Sequence, residues 1–132
     1  MLGNQIYTGS GKRTGRRVVS IRPVNVEVSF EDAGKLLEQE GINIGTYASI
    51  PRADGTLAGD GQGVFAAADG SIVTWRGIGT GTVGEGGALS YRGTLTFETA
   101  STELSRLNGI AGAFEFDVDA AGNTQTKIWE WK

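Results

Sequence analysis

The chain has 132 residues, 22 of them glycine and two proline, with neither cysteine nor histidine. A domain of this length buries roughly two-thirds of its unfolded surface, enough for a core without staples. The missing residue types exclude disulfides, thiol nucleophiles, Cys or His metal ligands and Ser-His-Asp triads. The acids follow no calcium-loop spacing, so neither a metal nor a cofactor is expected.

The net charge of −3 is unevenly spread. Lys12, Arg13, Arg16, Arg17 and Arg22 stand in the first 22 residues without an acid, and the rest of the chain is acidic. Residues 1–16 therefore read as a basic, partly flexible arm before a single domain over residues 17–132. The arm has no interleaved aromatics, so nucleic acid is not an expected partner. No leader-type apolar run and no stretch of 18 apolar residues is present, so a cytoplasmic protein without a membrane span is expected.

Along the chain the dominant period is two. "NQIYTG" is a candidate first strand. "RPVNVEVSF" sets Val24, Val26, Val28 and Phe30 against Asn25, Glu27 and Ser29, a half-buried strand. The segment 29–40 is read as that strand continuing past a bulge near Gly34 rather than as a helix. "INIGTYASI", "TLAGDGQGVFAA", "SIVTWRGIGTGTV" and "ALSYRGTLTFETA" follow, separated by "ADG" and "GEGG" turn signals. "STELSRL" predicts a short helical turn near 101–107 with Ser101 as its cap. "GAFEFDVD" and "NTQTKIWEWK" close the chain as a hairpin around "AAGN". "TWRGIGTG" (74–81) and "SYRGTLTF" (90–97) repeat a hydroxyl-aromatic-Arg-Gly pattern, as consecutive antiparallel strands under similar demands would. Evenly spaced strands and tight turns predict an all-β, antiparallel, predominantly up-and-down eight-stranded β-barrel, which removes exposed edges.

The strand faces carry the functional expectation. Within the three candidate strands between residues 57 and 97, odd positions are aromatic, aliphatic or glycine; even positions from Asp60 on are mostly hydroxyl or charged, with Gln62, Val64 and Ile78 among them. The odd face belongs inside. Glycine on an inward face either vacates space for an apolar small molecule, lined by Phe65, Trp75, Tyr91, Leu95 and Phe97, or marks bends in a filled barrel. The charged face, with Asp60, Arg76, Arg92 and Glu98, reads as solvated cross-strand ion pairs; turned inward, Arg76 would meet a ligand carboxylate. With no His or Cys, acid-base work falls to residues such as Glu27 and Tyr47. Glu27, Tyr47 and Arg76 are the candidate catalytic residues. Trp129 and Trp131 share a face of the last strand and suit a subunit contact in a dimer or trimer.

Two stretches, "LAGDGQGVFAAADGSIVTWRGIGTG" (57–81) and "LNGIAGAFEFDVDAAGN" (107–123), resemble the glycine-alternating and closing hairpins of the allene oxide cyclase barrels and related small bacterial proteins. The resemblance implies an eight-stranded, calycin-like barrel, often a homo-oligomer, working without metal or organic cofactor. In the plant cyclases a luminal carboxylate and an aromatic-lined cavity fold an unsaturated fatty-acid epoxide before ring closure. Glu27 is the carboxylate that would correspond. The expected function is a barrel holding a fatty-acid- or polyketide-like molecule, as binder or as cyclase/isomerase; the alternative is a non-enzymatic structural or interaction barrel.

Overall fold

A computed structural model describes all of residues 1–132. Eight strands follow one another around a closed antiparallel barrel: β1 (Leu2–Ile21), β2 (Val24–Leu36), β3 (Gln39–Pro51), β4 (Leu57–Ala67), β5 (Ile72–Val83), β6 (Leu89–Thr99), β7 (Ala111–Val118) and β8 (Asn123–Trp131). Each strand pairs with its sequence neighbours, and β1 closes the ring against β8. No helix is long and apolar enough to cross a membrane.

The expected turns form for the expected reason. In three of them an Asp side chain accepts backbone N–H groups two residues on: Asp54 from Thr56 at 2.9 Å, Asp69 from Ser71 at 2.8 Å and Asp119 from Ala121 at 2.9 Å. Hydrogen bonds hold the three carboxyls below the usual carboxylate range, first from the Thr56 hydroxyl to Asp54, the Ser71 backbone N–H to Asp69 and the Asn123 side-chain amide to Asp119. The 74–81 and 90–97 repeats lie side by side on β5 and β6, with Trp75 opposite Phe97 and Gly81 opposite Tyr91.

Two local expectations are corrected, and the short helical turn is placed. Residues 2–16 are not a separate arm; they lie within β1, hydrogen-bonded to β8 from Leu2 to Lys12 and to β2 from Tyr7 onward. Backbone pairing overrides the charge run because lysine and arginine at outward strand positions stay in water. Beyond Lys12, β1 leaves β8 and continues with β2 as a two-stranded hairpin, its tip exposing Val18, Val19, Ile21 and Val24. No register shift occurs at Gly34; the irregularities lie on β1, between Arg13 and Gly15 and between Val18 and Ser20. Gly34 is glycine for space, since a Cβ there would strike the Thr8 carbonyl and lie 2.7 Å from the Tyr7 hydroxyl. The helical turn is a 3-10 helix at Ser105–Gly109, with Ser101 Oγ accepting the Leu104 N–H at 3.3 Å just before it.

Side-chain alternation fills the barrel in two layers. One end is plugged by the β6–β7 connection, whose Leu104 and Leu107 are 1% and 0% exposed and join Ile6, Leu36, Phe65, Val73, Phe97 and Ile128. Toward the other end stands a mostly aromatic layer of Val28, Phe30, Tyr47, Tyr91, Phe116 and Val118. Trp75 and Phe114 bridge the two.

The inward glycines let these rings lie against the sheet. Trp75 covers Gly63 and Gly45, Tyr91 covers Gly81, where a Cβ would lie 2.7 Å from its ring, and Phe114 covers Gly93 and Gly79. Gly93 is the tightest of the Phe114 group: an added methyl would meet the Ile78 carbonyl, the Gly79 Cα at 2.6 Å and the Phe114 ring at 2.8 Å. Backbone cannot rotate away, so Gly93→Ala is expected to lose about 1–3 kcal/mol in a urea titration. Gly15→Ala is the control, because nothing lies within 4 Å of its new methyl and its stability should hold. Equal midpoints for the two variants would contradict the ring-on-glycine account.

Candidate functional site

The barrel interior holds one acid that the sequence reading passed over, Asp32. The alternation that turns Val28 and Phe30 inward on β2 also turns Asp32 inward, and it is 2% exposed. Its surroundings come from three strands. On β1, Tyr7, Gly9 and Gly11 share the inward face; Gly11 is directly opposite Asp32 on one side and Thr124 of β8 on the other. With no side chains at Gly9 and Gly11, residues of β2 and β8 meet across β1. A Cβ on Gly9 would collide with the Tyr7 hydroxyl and come within 2.9 Å of Asp32 Oδ1.

In that space the Tyr7 hydroxyl donates to Asp32 Oδ1, and Thr126 Oγ1 donates to Oδ2 at 3.1 Å. Asn43 faces Asp32 across the β2–β3 pair and adds a smaller stabilisation of the carboxylate. The Asn43 carbonyl oxygen accepts the Trp75 indole N–H at 2.8 Å. Burial outweighs these bonds, so the Asp32 carboxyl is held above the usual range. Tyr7 is likewise pushed up, first by burial and then by the neighbouring carboxylate. The pair can hold and move one proton inside an apolar barrel, where a neutral acid is a better donor than an ionised one.

Above this polar floor is a cavity of about 70 Å³. Tyr7, Asn43 and Thr126 reach it from below, so a guest would touch the partners of Asp32. Its lining includes backbone at Gly59, Gly61, Gly77 and Gly79 and the rings of Phe30, Tyr47, Tyr91, Phe114 and Phe116. All five expected lining residues, Phe65, Trp75, Tyr91, Leu95 and Phe97, border it, and so does Tyr47. Burial pushes the Tyr47 hydroxyl above its ordinary value. Tyr91 donates to or accepts from Ser49 at 2.8 Å and is also raised by burial.

Two of the three candidate catalytic residues do not reach this site. Glu27 lies on the outer face, 3.4 Å from the Arg17 guanidinium. Arg76 is exposed on the outside of β5, between Gln62 and Thr96. Both follow the strict alternation that puts Val26, Val28 and Trp75 inside. The outer charges pair differently from expectation: Arg92 reaches Asp117 at 2.9 Å and Glu115 at 3.9 Å, while Asp60, Arg76 and Glu98 form no ion pair. Such exposed pairs contribute at most about 1 kcal/mol each. Trp131 is 61% exposed and Trp129 half-buried on the outer face. The period-two signal that would have found Asp32 was already present, but residues 29–40 also carry helix-like spacing that interrupts it.

The volume changes the size of any guest. A site of 70 Å³ holds roughly two waters at ~30 Å³ each and is smaller than the ~150 Å³ cavity that admits benzene. The rings folded onto the glycines occupy most of the space that the glycine row vacates. A long acyl chain enters only if rings such as Tyr47 and Tyr91 swing aside.

The molecule thus belongs with closed, eight-stranded antiparallel barrels that have an aromatic interior. Solved structures with this fold include a protein of unknown function from Clostridium acetobutylicum, at 13% identity and a TM-score of 0.83, covering 98% of this chain and 99% of that one. A beta-barrel like protein from Acinetobacter baumannii is similar at 13% identity and 0.81, covering 100% and 96%. An enzyme from Penicillium herquei shares the fold at 13% identity and 0.64, covering 96% and 92%. These likenesses establish the fold. No family model matches the chain. No curated protein matches its sequence.

Proposed function

We propose that the barrel binds a small apolar or amphipathic molecule in its lumen and that Asp32, with Tyr7, is the acid-base group facing it. One observation carries this reading: a buried carboxylate, whose proton burial holds more tightly than usual, sits beneath an aromatic cavity lined in part by glycine backbone. A filled structural core has no need of a carboxylate, whose burial is unfavourable unless hydrogen-bonded on all sides. The cavity as it stands takes the end of a short chain; a ring, or one end of a fatty-acid- or polyketide-like molecule, enters as the lining rings move aside. Catalysis, in this reading, is isomerase- or cyclase-like: the walls hold one reactive shape, and Tyr47 and the Tyr7–Asp32 pair act on an oxygen of the guest.

The test uses the glycine wall as reporter. The amide resonances of Gly59, Gly61, Gly77 and Gly79 are followed while cyclohexanol, phenol or linoleate is added. Saturable shifts confined to these amides and to the Trp75 indole N–H are expected for cyclohexanol and phenol. Absence of saturation with every probe overturns the reading.

The small volume supports a second reading, a barrel with a filled core that acts through its outer surface as a homo-oligomer. Exposed Trp131, paired in register with exposed Leu2, is the contact this reading uses. It requires a dimer or trimer by light scattering and a monomer for Trp131→Glu.

A further inference from the structure

Of the eight arginines, Arg13 alone is not exposed. The alternation Gly9, Gly11, Arg13 places its side chain on the inward face of β1, directly across from Phe30, which borders the cavity. It stands at the end of the barrel where β1 leaves β8. β1 and β8 part after Lys12, and Arg13 is the next residue, its N–H donating to the Gly122 carbonyl of the β7–β8 turn at 2.8 Å. The guanidinium lies against that turn, 3.4 Å from where a methyl on Gly122 would sit.

No carboxylate lies within 4 Å of Arg13, and its side chain makes no hydrogen bond in the protein. Arg17, Arg92 and Arg106 each have an acid partner. A half-sheltered guanidinium with five donors and no acceptor is poised for an anion, and its planar fork matches a carboxylate. Its field reaches the Tyr47 hydroxyl, opposing part of the upward push of burial there. The Tyr91 and Ser49 hydroxyls add polar groups toward the same end.

We propose that Arg13 is the anion-recognition residue of the lumen: the site takes a monocarboxylate whose apolar end enters the cavity as the lining rings move aside, while its carboxylate pairs with Arg13 at the end where β1 leaves β8. This rests on the lumen-binding reading above and adds the ligand's charge and its direction of entry, apolar end first toward Asp32. The orientation also keeps the guest's anion away from Asp32, which would otherwise be two like charges in a medium of low dielectric.

The experiment compares cyclohexanecarboxylate with cyclohexanecarboxamide, which is similar in shape and neutral, at pH 7 and low salt. Affinities are read from the glycine-wall amides in the wild type, Arg13→Gln and Arg13→Lys. The expected result is at least tenfold tighter binding of the acid by the wild type. That preference should fall below twofold in Arg13→Gln, return in part in Arg13→Lys, and leave amide affinity unchanged throughout. Equal binding of both probes by the wild type, or an acid preference that survives Arg13→Gln, overturns the role of Arg13 and leaves lumen binding standing. Saturable binding of neither probe overturns both. Dispersion of the amide spectrum of each variant shows that the barrel has folded.

Discussion

Trp75→Ala is expected to destabilise the barrel by about 3–5 kcal/mol, the loss typical of removing a large aromatic side chain from a packed interior. The indole bridges both layers of the core and lies 6.4 Å from the Phe30 ring, centroid to centroid. It is also the side chain that covers Gly63 and shares the cover of Gly45 with Phe30 and of Gly61 with Tyr47, so its removal bares Gly63 and thins the packing over the other two. The same change deletes the N–H that fixes the Asn43 carbonyl, and Asn43 is the cross-strand neighbour of Asp32. Guanidinium denaturation monitored by circular dichroism measures the effect. Trp131→Ala, at an exposed position, should change stability by no more than about 0.5 kcal/mol in the monomer. A Trp75 loss of similar size would mean that the rings do not hold the barrel open against its glycine wall.

Asp32→Ala is the second large effect, about 1–3 kcal/mol at low pH, because the Tyr7 and Thr126 hydroxyls lose their acceptor inside the barrel. Asp32→Asn keeps the shape and isolates the charge. The folded state holds the Asp32 proton more tightly than the unfolded chain, whose carboxyl titrates near 3.8. Between those two values the folded state carries the extra proton, so raising the pH weakens folding. Below the unfolded value the penalty is absent; above the folded value it is fully present. Asp54, Asp69 and Asp119, held low by their turn hydrogen bonds, act in the opposite sense: their contribution to folding is lost as pH falls. The difference between wild type and Asp32→Asn removes their shared background. Urea midpoints from pH 3 to 8 should show wild type losing ground to Asp32→Asn as pH rises out of the acid range. Parallel curves would mean that Asp32 titrates as an ordinary surface carboxyl.

These two positions differ in how readily the sequence discloses them. Trp75 lies in a run whose odd positions are apolar or glycine and whose even positions are Thr, Arg, Ile and Thr, so its inward face follows from period two alone. The same rule correctly groups Phe65, Tyr91, Leu95 and Phe97 around the lumen. Glu27 and Arg76 are candidates by their chemistry, yet their parity places them outside. Asp32 requires reading the β2 alternation two residues beyond Phe30, into a segment whose Ser29 and Asp32 also stand at capping-box spacing for a helix. The partners of Asp32 were out of reach by any local rule. Tyr7, Asn43 and Thr126 come from three strands, and only the ring closure of β1 on β8 sets Thr126 across Gly9 from Gly34. Arg13 likewise reads as one charge in a basic run until the parting of β1 from β8 leaves it at the mouth.

Alternation, turn chemistry and spacing by themselves determine eight antiparallel strands, their order and the face each side chain takes, because these depend on interactions within a strand or between neighbours joined by short turns. The tertiary structure decided how much of the lumen stays empty and which acid lies in it. Both depend on where rings from distant strands come to rest. Glycine in a sequence reports only that a side chain is missing, and whether a tryptophan from another strand fills the gap is settled when the sheet closes.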